Sequence, residues 1–247
     1  MPRDDWKKLP RLYVTDPLLP DGAVSLTDAQ QHYLQHVMRR AADDRILLFN
    51  GTDGEWLASL VAKGKKNISA RCLERTRAQA EESELWLLFA PLKRDHLDYL
   101  VQKASELGVT HLMPVATQHT VAERVNLVRL RAIAMEAAEQ CERLSLPEIL
   151  APLPLPKALE NIKTQRLFAC VEGGTALPVA EAFSQYRQDR QAAFLVGPEG
   201  GFSKEEMEII RKHAKSVPIH LGPRILRADT AALAALACWQ AVCGDWR

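Results

Sequence analysis

Phe194-Leu-Val-Gly-Pro-Glu-Gly-Gly-Phe202 and His220-Leu-Gly-Pro-Arg-Ile-Leu-Arg-Ala-Asp-Thr-Ala231 are the two stretches on which the reading of this chain turns. Each begins as an apolar run with the composition of a strand, breaks at a Gly/Pro turn and continues into a helix-forming segment. Glycine lets the main chain approach a ligand with no Cβ between them, and it tolerates positive φ. Ligands of parallel sheets bind outside the carboxyl ends of the strands, where both loops would lie. Gly197-Pro-Glu-Gly-Gly201 lacks the GxGxxG spacing of a dinucleotide site, and no Gly-Lys-Ser/Thr follows it as a P-loop requires. Alone it reads equally well as a tight strand-to-helix turn. The second loop shifts the reading to a ligand site built mostly from backbone.

Outward from these loops the chain alternates between strand and helix patterns. Leu85 to Ala90 is a continuous apolar run, as expected of a strand buried on both faces. Asp95 to Leu107 carries Leu97, Leu100, Val101, Ala104 and Leu107 on one helical stripe, with Gly108 as its stop. Val109 to Val115 predicts a strand, and Asn126 to Leu144 a long helix with Leu127, Leu130, Ile133, Ala134, Ala137 and Cys141 in register. Strands at Arg166 to Val171, Ala192 to Val196 and Val217 to Leu221 alternate with helices near Leu177 to Tyr186, from the capping box Ser203-Lys-Glu-Glu206 to about Ala214, and from Thr230. This alternation predicts an α/β domain with a largely parallel sheet.

The first part of the chain differs. Arg11 to Val14, Ala23 to Leu26, Arg45 to Asn50, Glu55 to Val61 and Ile68 to Leu73 read as short strands. A helix opens at the capping box Thr27-Asp-Ala-Gln30 and runs to about Arg39. Several short strands around one helix predict a small β-barrel. Arg75 to Glu84 is charge-rich and without apolar period. The expected division is a barrel domain over residues 1–76, a linker over 77–84 and the α/β domain over 85–247.

The 247 residues carry a formal net charge of +1, so any nucleic-acid contact must use a local basic patch rather than a global field. Cys72, Cys141, Cys170, Cys238 and Cys243 form no CxxC pair and have no His at zinc-ligand spacing, which predicts buried thiols in a reducing compartment and no metal. The N-terminal residues lack the apolar core of a signal peptide, and the apolar stretch Ala231 to Val242 is too short to span a bilayer. A cytoplasmic protein without membrane association is expected.

With Leu195-Val-Gly-Pro-Glu-Gly-Gly-Phe-Ser203 and Leu221-Gly-Pro-Arg-Ile-Leu-Arg-Ala-Asp-Thr-Ala231, the chain resembles the 16S rRNA (uracil(1498)-N(3)) methyltransferase family, of the SPOUT class. Gln102-Lys-Ala-Ser-Glu-Leu-Gly-Val109, Glu136-Ala-Ala-Glu-Gln-Cys-Glu-Arg143 with Pro147, Pro10-Arg-Leu-Tyr13 and Val37-Met-Arg39 agree with it, so the resemblance covers almost the whole chain. It departs at Ala228-Asp229, where members commonly have Thr-Glu; Asp keeps the charge one methylene shorter.

The resemblance implies a PUA-like N-terminal β-barrel, a C-terminal α/β SPOUT domain with a deep trefoil knot, and a homodimer whose two subunits complete each site. It implies S-adenosylmethionine as cofactor, S-adenosylhomocysteine as product, and N3 of one uridine in 16S rRNA of the small ribosomal subunit as target. Carried over residue by residue, the cofactor would contact Leu195, Gly197, Gly200 and Gly201 in the first loop. In the second it would contact Leu221, Gly222, Ile225, Leu226, Arg227, Thr230 and Ala231.

The chemistry constrains the rest. The sulfonium methyl is already electrophilic, so no metal is needed. Uracil N3–H is mostly protonated at neutral pH, so the reaction needs proton removal and a cation or donors for the charge developing on the adjacent carbonyls. Arg227 is the first candidate cation and Arg143 the second, each with phosphate binding or an interface ion pair as the plainer role. Glu199 is a candidate proton acceptor, although a loop-fixing or helix-dipole role fits it better. His220 reads as a structural strand residue, and Asp229 and Thr230 fit an N-cap as well as catalysis. Glu136, Glu139, Gln140 and Arg143 share one helical face, a candidate substrate or interface surface. Arg11, Arg39 and Arg40, with Lys63, Lys65 and Lys66, are candidate contacts for RNA phosphates. The alternatives are a knotted enzyme acting on another RNA position, such as a tRNA ribose 2′-OH, and a non-catalytic RNA-binding assembly factor. A nucleotide-phosphate enzyme lacks its Lys and its metal carboxylates.

Overall fold

Thr27 caps the first helix through the reciprocal bonds its sequence predicts: its Oγ1 accepts from Gln30 N–H at 3.3 Å, and Gln30 Oε1 accepts from Thr27 N–H at 3.0 Å. The structure is a computed structural model that describes residues 6, 8–64, 67–120, 125–172 and 175–246. The chain divides into two units, Met1–Glu81 with Ala138–Leu146, and Glu82–Ala137 with Pro147–Arg247.

The first unit contains β1 (Arg11–Tyr13), β2 (Ala23–Val24), α1 (Asp28–His32), β3 (Arg45–Phe49), β4 (Glu55–Lys63) and β5 (Asn67–Arg77). They form a five-stranded sheet in the order β1-β3-β4-β5-β2, with β1 parallel to β3 and the other pairs antiparallel. Alternate residues Ile46 and Leu48, Trp56, Ala58 and Leu60, and Ile68, Ala70 and Cys72 enter one core with Leu34, the period of two that half-buried strands require. Two boundaries differ from the sequence pattern. The helix gives way to a π-helical turn over Tyr33–Val37, and Arg39 takes a left-handed φ of 52°, so regular helix stops short of Arg39. β5 runs past Leu73 to Arg77 because it stays paired with β4 as far as Glu55.

The second unit takes in β6 (Leu85–Phe89), α2 (Arg94–Glu106), β7 (His111–Ala116) and α3 (Leu127–Gln140), the last extending into the residues grouped with the first unit. β8 (Glu148–Ile149), β9 (Leu153–Pro154), α4 (Leu155–Glu160), β10 (Arg166–Cys170), β11 (Leu177–Pro178) and α5 (Val179–Gln185) follow. β12 (Ala192–Val196), α6 (Lys204–Lys212), β13 (Ser216–His220) and α7 (Ala228–Val242) complete it. Every strand pair is parallel, in the order β11-β13-β10-β12-β6-β7-β8, with β9 beside β7. Strands with no polar face are what a doubly covered sheet needs. Leu85, Leu87 and Phe89 face a core built with α2, α5 and α7, whereas Trp86 and Leu88 face a second core with α4 and Ile210 of α6. Phe168, Phe183, Phe194 and Trp239 pack in the first core with ring centroids 5.0–5.9 Å apart.

The helix predicted to Leu144 ends at Gln140, and Glu142 follows at φ 64°. β8, β9 and β11 carried no usable sequence period, since a two-residue ladder is too short to show one, and the six residues of α4 make less than two helical turns. The parallel arrangement sends every strand's carboxyl end to one edge of the sheet. The connections after β6, β7, β12 and β13 therefore leave from the same edge.

Candidate active site

Gly197 to Ser203 leave β12 as a turn closed by a bond from Gly201 N–H to Pro198 O at 2.9 Å. Ser203 then caps α6, accepting from Glu206 N–H at 3.2 Å while Glu206 Oε2 accepts from Ser203 N–H at 2.9 Å. A Cβ on Gly197 would stand 2.9 Å from the Phe202 ring, and one on Gly200 would stand 3.2 Å from His119 Cβ. Gly201 has φ 67° with open space where a Cβ would be. Gly222, in the loop after β13, has φ 100° and the same open space. Both loops thus present glycine backbone at the carboxyl edge, in conformations that L side chains rarely adopt.

Two further connections reach these loops. The loop after β7 bonds to the first one: His119 Nδ1 lies 3.0 Å from Gly200 O and 3.1 Å from Gly201 O, and Gln118 N–H donates to Glu206 Oε1 at 2.7 Å. The start of α2, after β6, bonds to the start of α7: His96 Nδ1 lies 2.8 Å from Asp229 Oδ2. Burial pulls the Asp229 pKa upward, but the bonds from His96 and from Thr230 N–H outweigh it, and the carboxyl is held below its ordinary value. Also at this edge, a cleft of about 310 Å³ opens between α2 and α3, lined by Leu92, Arg94, Asn126 and the ion pair of Arg129 with Asp98.

The sequence candidates fall into three sets. Gly197, Gly200, Gly201, Leu221, Gly222, Ile225, Leu226, Arg227, Thr230 and Ala231 do lie on the two strand-end loops or the first turn of α7. Ile225 is 82% exposed, an apolar side chain held out in solvent. Arg227 is the N-cap residue of α7, exposed, with no capping bond from its side chain. The cap expected at Asp229 or Thr230 therefore falls two or three residues earlier, at Arg227, and Asp229 sits inside the first turn, paired with His96 instead. Glu199 is exposed in the first loop. Leu195 differs: it is fully buried in the core that holds Trp86 and Leu88, so its side chain anchors the base of the loop and is not free to face a ligand.

The second set lies in the first unit. Arg11 is 9% exposed and not at the surface. Its Nε donates to Glu55 Oε2 at 2.7 Å, Nη1 to Ala138 O at 2.9 Å and Nη2 to Arg143 O, and the guanidinium lies 3.8 Å from the centre of the Phe49 ring. Those donors are spent inside the protein, which corrects the expectation that Arg11 meets RNA phosphates. Arg143 lies beyond the end of α3, so it does not continue the helical face of Glu136, Glu139 and Gln140. Within that face Glu139 Oε1 accepts from Tyr13 N–H at 2.9 Å. Arg39 is exposed and Arg40 half-buried. Lys65 and Lys66 form the third set, outside the described residues.

Sequence reasoning missed His96 and His119, because neither carries a local signal: their partners lie 133 and 81–82 residues away. It identified Glu206 only as a capping residue, and its second bond, to Gln118, spans 88 residues.

Residues 79–240 match the model of an RNA methyltransferase domain, and residues 26–72 that of an RNA methyltransferase PUA domain. The chain is similar to ribosomal RNA small subunit methyltransferase E of Rickettsia conorii, with 34% identity over 234 residues, covering 93% of this chain and 94% of that one. This chain belongs to that RNA methyltransferase family. Its likeness to the Synechocystis member is also 34%, over 235 residues, covering 92% of this chain and 76% of the relative. The crystal structure of the small subunit methyltransferase E from Neisseria gonorrhoeae, bound to S-adenosyl methionine, superposes with a TM-score of 0.86 at 28% identity, covering 97% of this chain and 100% of that one. As a member of the methyltransferase E family, the chain is an RNA methyltransferase with a PUA-type unit ahead of a parallel-sheet catalytic unit. No helix among the described residues is long and apolar enough to cross a membrane.

Proposed function

We propose that this enzyme methylates N3 of one uridine, at the 1498 position, in 16S rRNA of the small ribosomal subunit, using S-adenosylmethionine. The observation that carries the proposal is the pair of strand-end loops whose glycines, Gly201 and Gly222, stand at positive φ with open space above them, in a chain of the methyltransferase E family. Glycine backbone with nothing over it is the cradle a nucleoside-containing cofactor requires. When bound, the cofactor supplies an electrophilic methyl group.

This chain's own residues do the rest. Main-chain groups of Gly197, Gly200, Gly201, Leu221, Gly222 and Leu226 hold the cofactor, and the exposed Ile225 side chain covers it. Arg227 stabilises negative charge on the uracil carbonyls as the N3 proton leaves; Arg143 and Glu199 are the second candidates for cation and proton acceptor. Holding N3 in line with the methyl group supplies much of the acceleration. Residues 1–76, with Arg39 and Arg40 on phosphates, grip the RNA, 77–84 form the link, and 85–247 carry the chemistry. The enzyme works in the cytoplasm as a homodimer with a trefoil knot in its catalytic domain.

The test is methylation of unmodified small subunits and of naked 16S rRNA, followed by nucleoside digestion and mass spectrometry. The expected product is 3-methyluridine. Recovery of a 2′-O-methyl nucleoside alone would assign the enzyme to a ribose target.

A further inference from the structure

We propose that His119 is a positioning residue for the cofactor loop, a latch from the connection after β7 that holds the Gly200–Gly201 backbone in its binding shape. The proposal rests on the cofactor reading above. Carbonyl oxygens can only accept, so the contacts of 3.0 and 3.1 Å to Gly200 O and Gly201 O place the hydrogen on Nδ1. One donor shared by two successive carbonyls fixes the orientation of both peptide units. Those units need fixing: Gly200 and Gly201 are exposed, and Gly201 stands at φ 67°. Two adjacent glycines lose more conformational freedom on ordering than any other pair.

The fit is steric as well as polar. The Gly200 Cα faces His119 so closely that an added Cβ would stand 3.2 Å from His119 Cβ. The same connection is held a second time, by Gln118 N–H on Glu206 Oε1 at 2.7 Å. Glu206 in turn caps α6 through Ser203, so the imidazole projects from a loop that is itself anchored at the far end of the glycine turn. His119 is exposed and outside the apolar cores, so replacing it leaves the packing of the sheet untouched.

His119→Leu keeps bulk and removes the donor, while His119→Asn returns an N–H near the position of Nδ1. Four readouts on the full-length protein separate the roles. In His119→Leu, amide exchange over residues 199–202 of the cofactor-free protein speeds up, S-adenosylmethionine affinity by calorimetry falls about tenfold, and the thermal midpoint is unchanged. Turnover at saturating cofactor stays within about twofold, the pattern of lost binding rather than lost chemistry. His119→Asn restores both exchange and affinity. Wild-type exchange and affinity in the Leu variant would overturn the proposal, as would an Asn variant no better than Leu, or a turnover loss with affinity intact. If the wild-type protein binds no S-adenosylmethionine, the cofactor reading falls and this proposal with it, whereas binding by wild type and the Leu variant alike sinks the latch alone.

Discussion

His96 in the first turn of α2 and Asp229 in the first turn of α7 meet at 2.8 Å, Nδ1 to Oδ2, tying together two helices that leave β6 and β13 at the same edge of the sheet. Asp229 Oδ1 also accepts from Thr230 N–H at 2.7 Å, so one carboxylate serves a helix start and a cross-link.

This pairing sets a pH dependence. Burial alone would raise the Asp229 pKa, but the His96 and Thr230 bonds lower it on balance. A carboxyl with a depressed folded pKa contributes stability that is present above its unfolded value, about 3.9, and lost as pH falls through the folded value. Urea midpoints of the wild type should therefore decline more steeply below about pH 4 than those of Asp229→Asn. The cost of the substitution near neutrality is about 0.5–1 kcal/mol, at the scale of a solvent-screened pair because the His96 side chain is 43% exposed. Parallel acid limbs in the two proteins would remove Asp229 from the account.

Arg11 is a structural cation. Burial lowers its pKa while Glu55 opposes the shift, and Arg11→Ala leaves the buried Glu55 carboxylate without this partner. The expected loss is about 3–5 kcal/mol by denaturant titration, the scale of a broken buried pair. The salt slope of RNA binding separates it from a phosphate contact. Arg39→Ala should reduce that slope by close to one counterion, while any folded Arg11 variant leaves it unchanged.

Arg227 is exposed at the start of α7 and uses no side-chain bond to cap it, so capping the helix does not occupy its guanidinium. Arg227→Ala should lower kcat about a hundredfold, the scale of removing one transition-state donor. Calorimetric affinity for S-adenosylmethionine should change by no more than about threefold. Equal losses in both would place Arg227 in the cofactor pocket.

Two turn glycines of the first unit give an internal control. Gly54 has φ 81°, and a Cβ there would stand 2.2 Å from Arg77 O and 2.9 Å from Gln79 N, backbone that cannot step aside. Gly64 has φ 74° with nothing within 4 Å. Gly64→Ala should cost about 1 kcal/mol, the left-handed penalty alone. Gly54→Ala should cost several-fold more, read from thermal midpoints. Similar midpoints for the two variants would refute the steric account.

Local and periodic signals determined much of this protein. The apolar runs at Leu85 to Ala90 and Ala192 to Val196 are buried strands, the stripe from Leu97 to Ala104 faces the core, and Gly108 ends its helix at φ 83°. Both capping boxes form with the predicted residues. The two glycine loops could be placed at strand ends because hydrophobic period and turn composition are properties of neighbouring residues. Where one side chain serves a distant partner, the sequence is silent. Arg11 is a basic residue at the head of a chain, and only Glu55, Ala138 and Arg143 around it make it a buried anchor. α3 follows its periodic stripe only to Gln140, after which Glu142 turns left-handed and the Arg11 guanidinium takes the carbonyls on either side of the break. His96 and His119 acquire partners only when parallel pairing brings the ends of β6, β7, β12 and β13 to one edge, because a hydrogen bond depends on distance in space and not on separation along the chain.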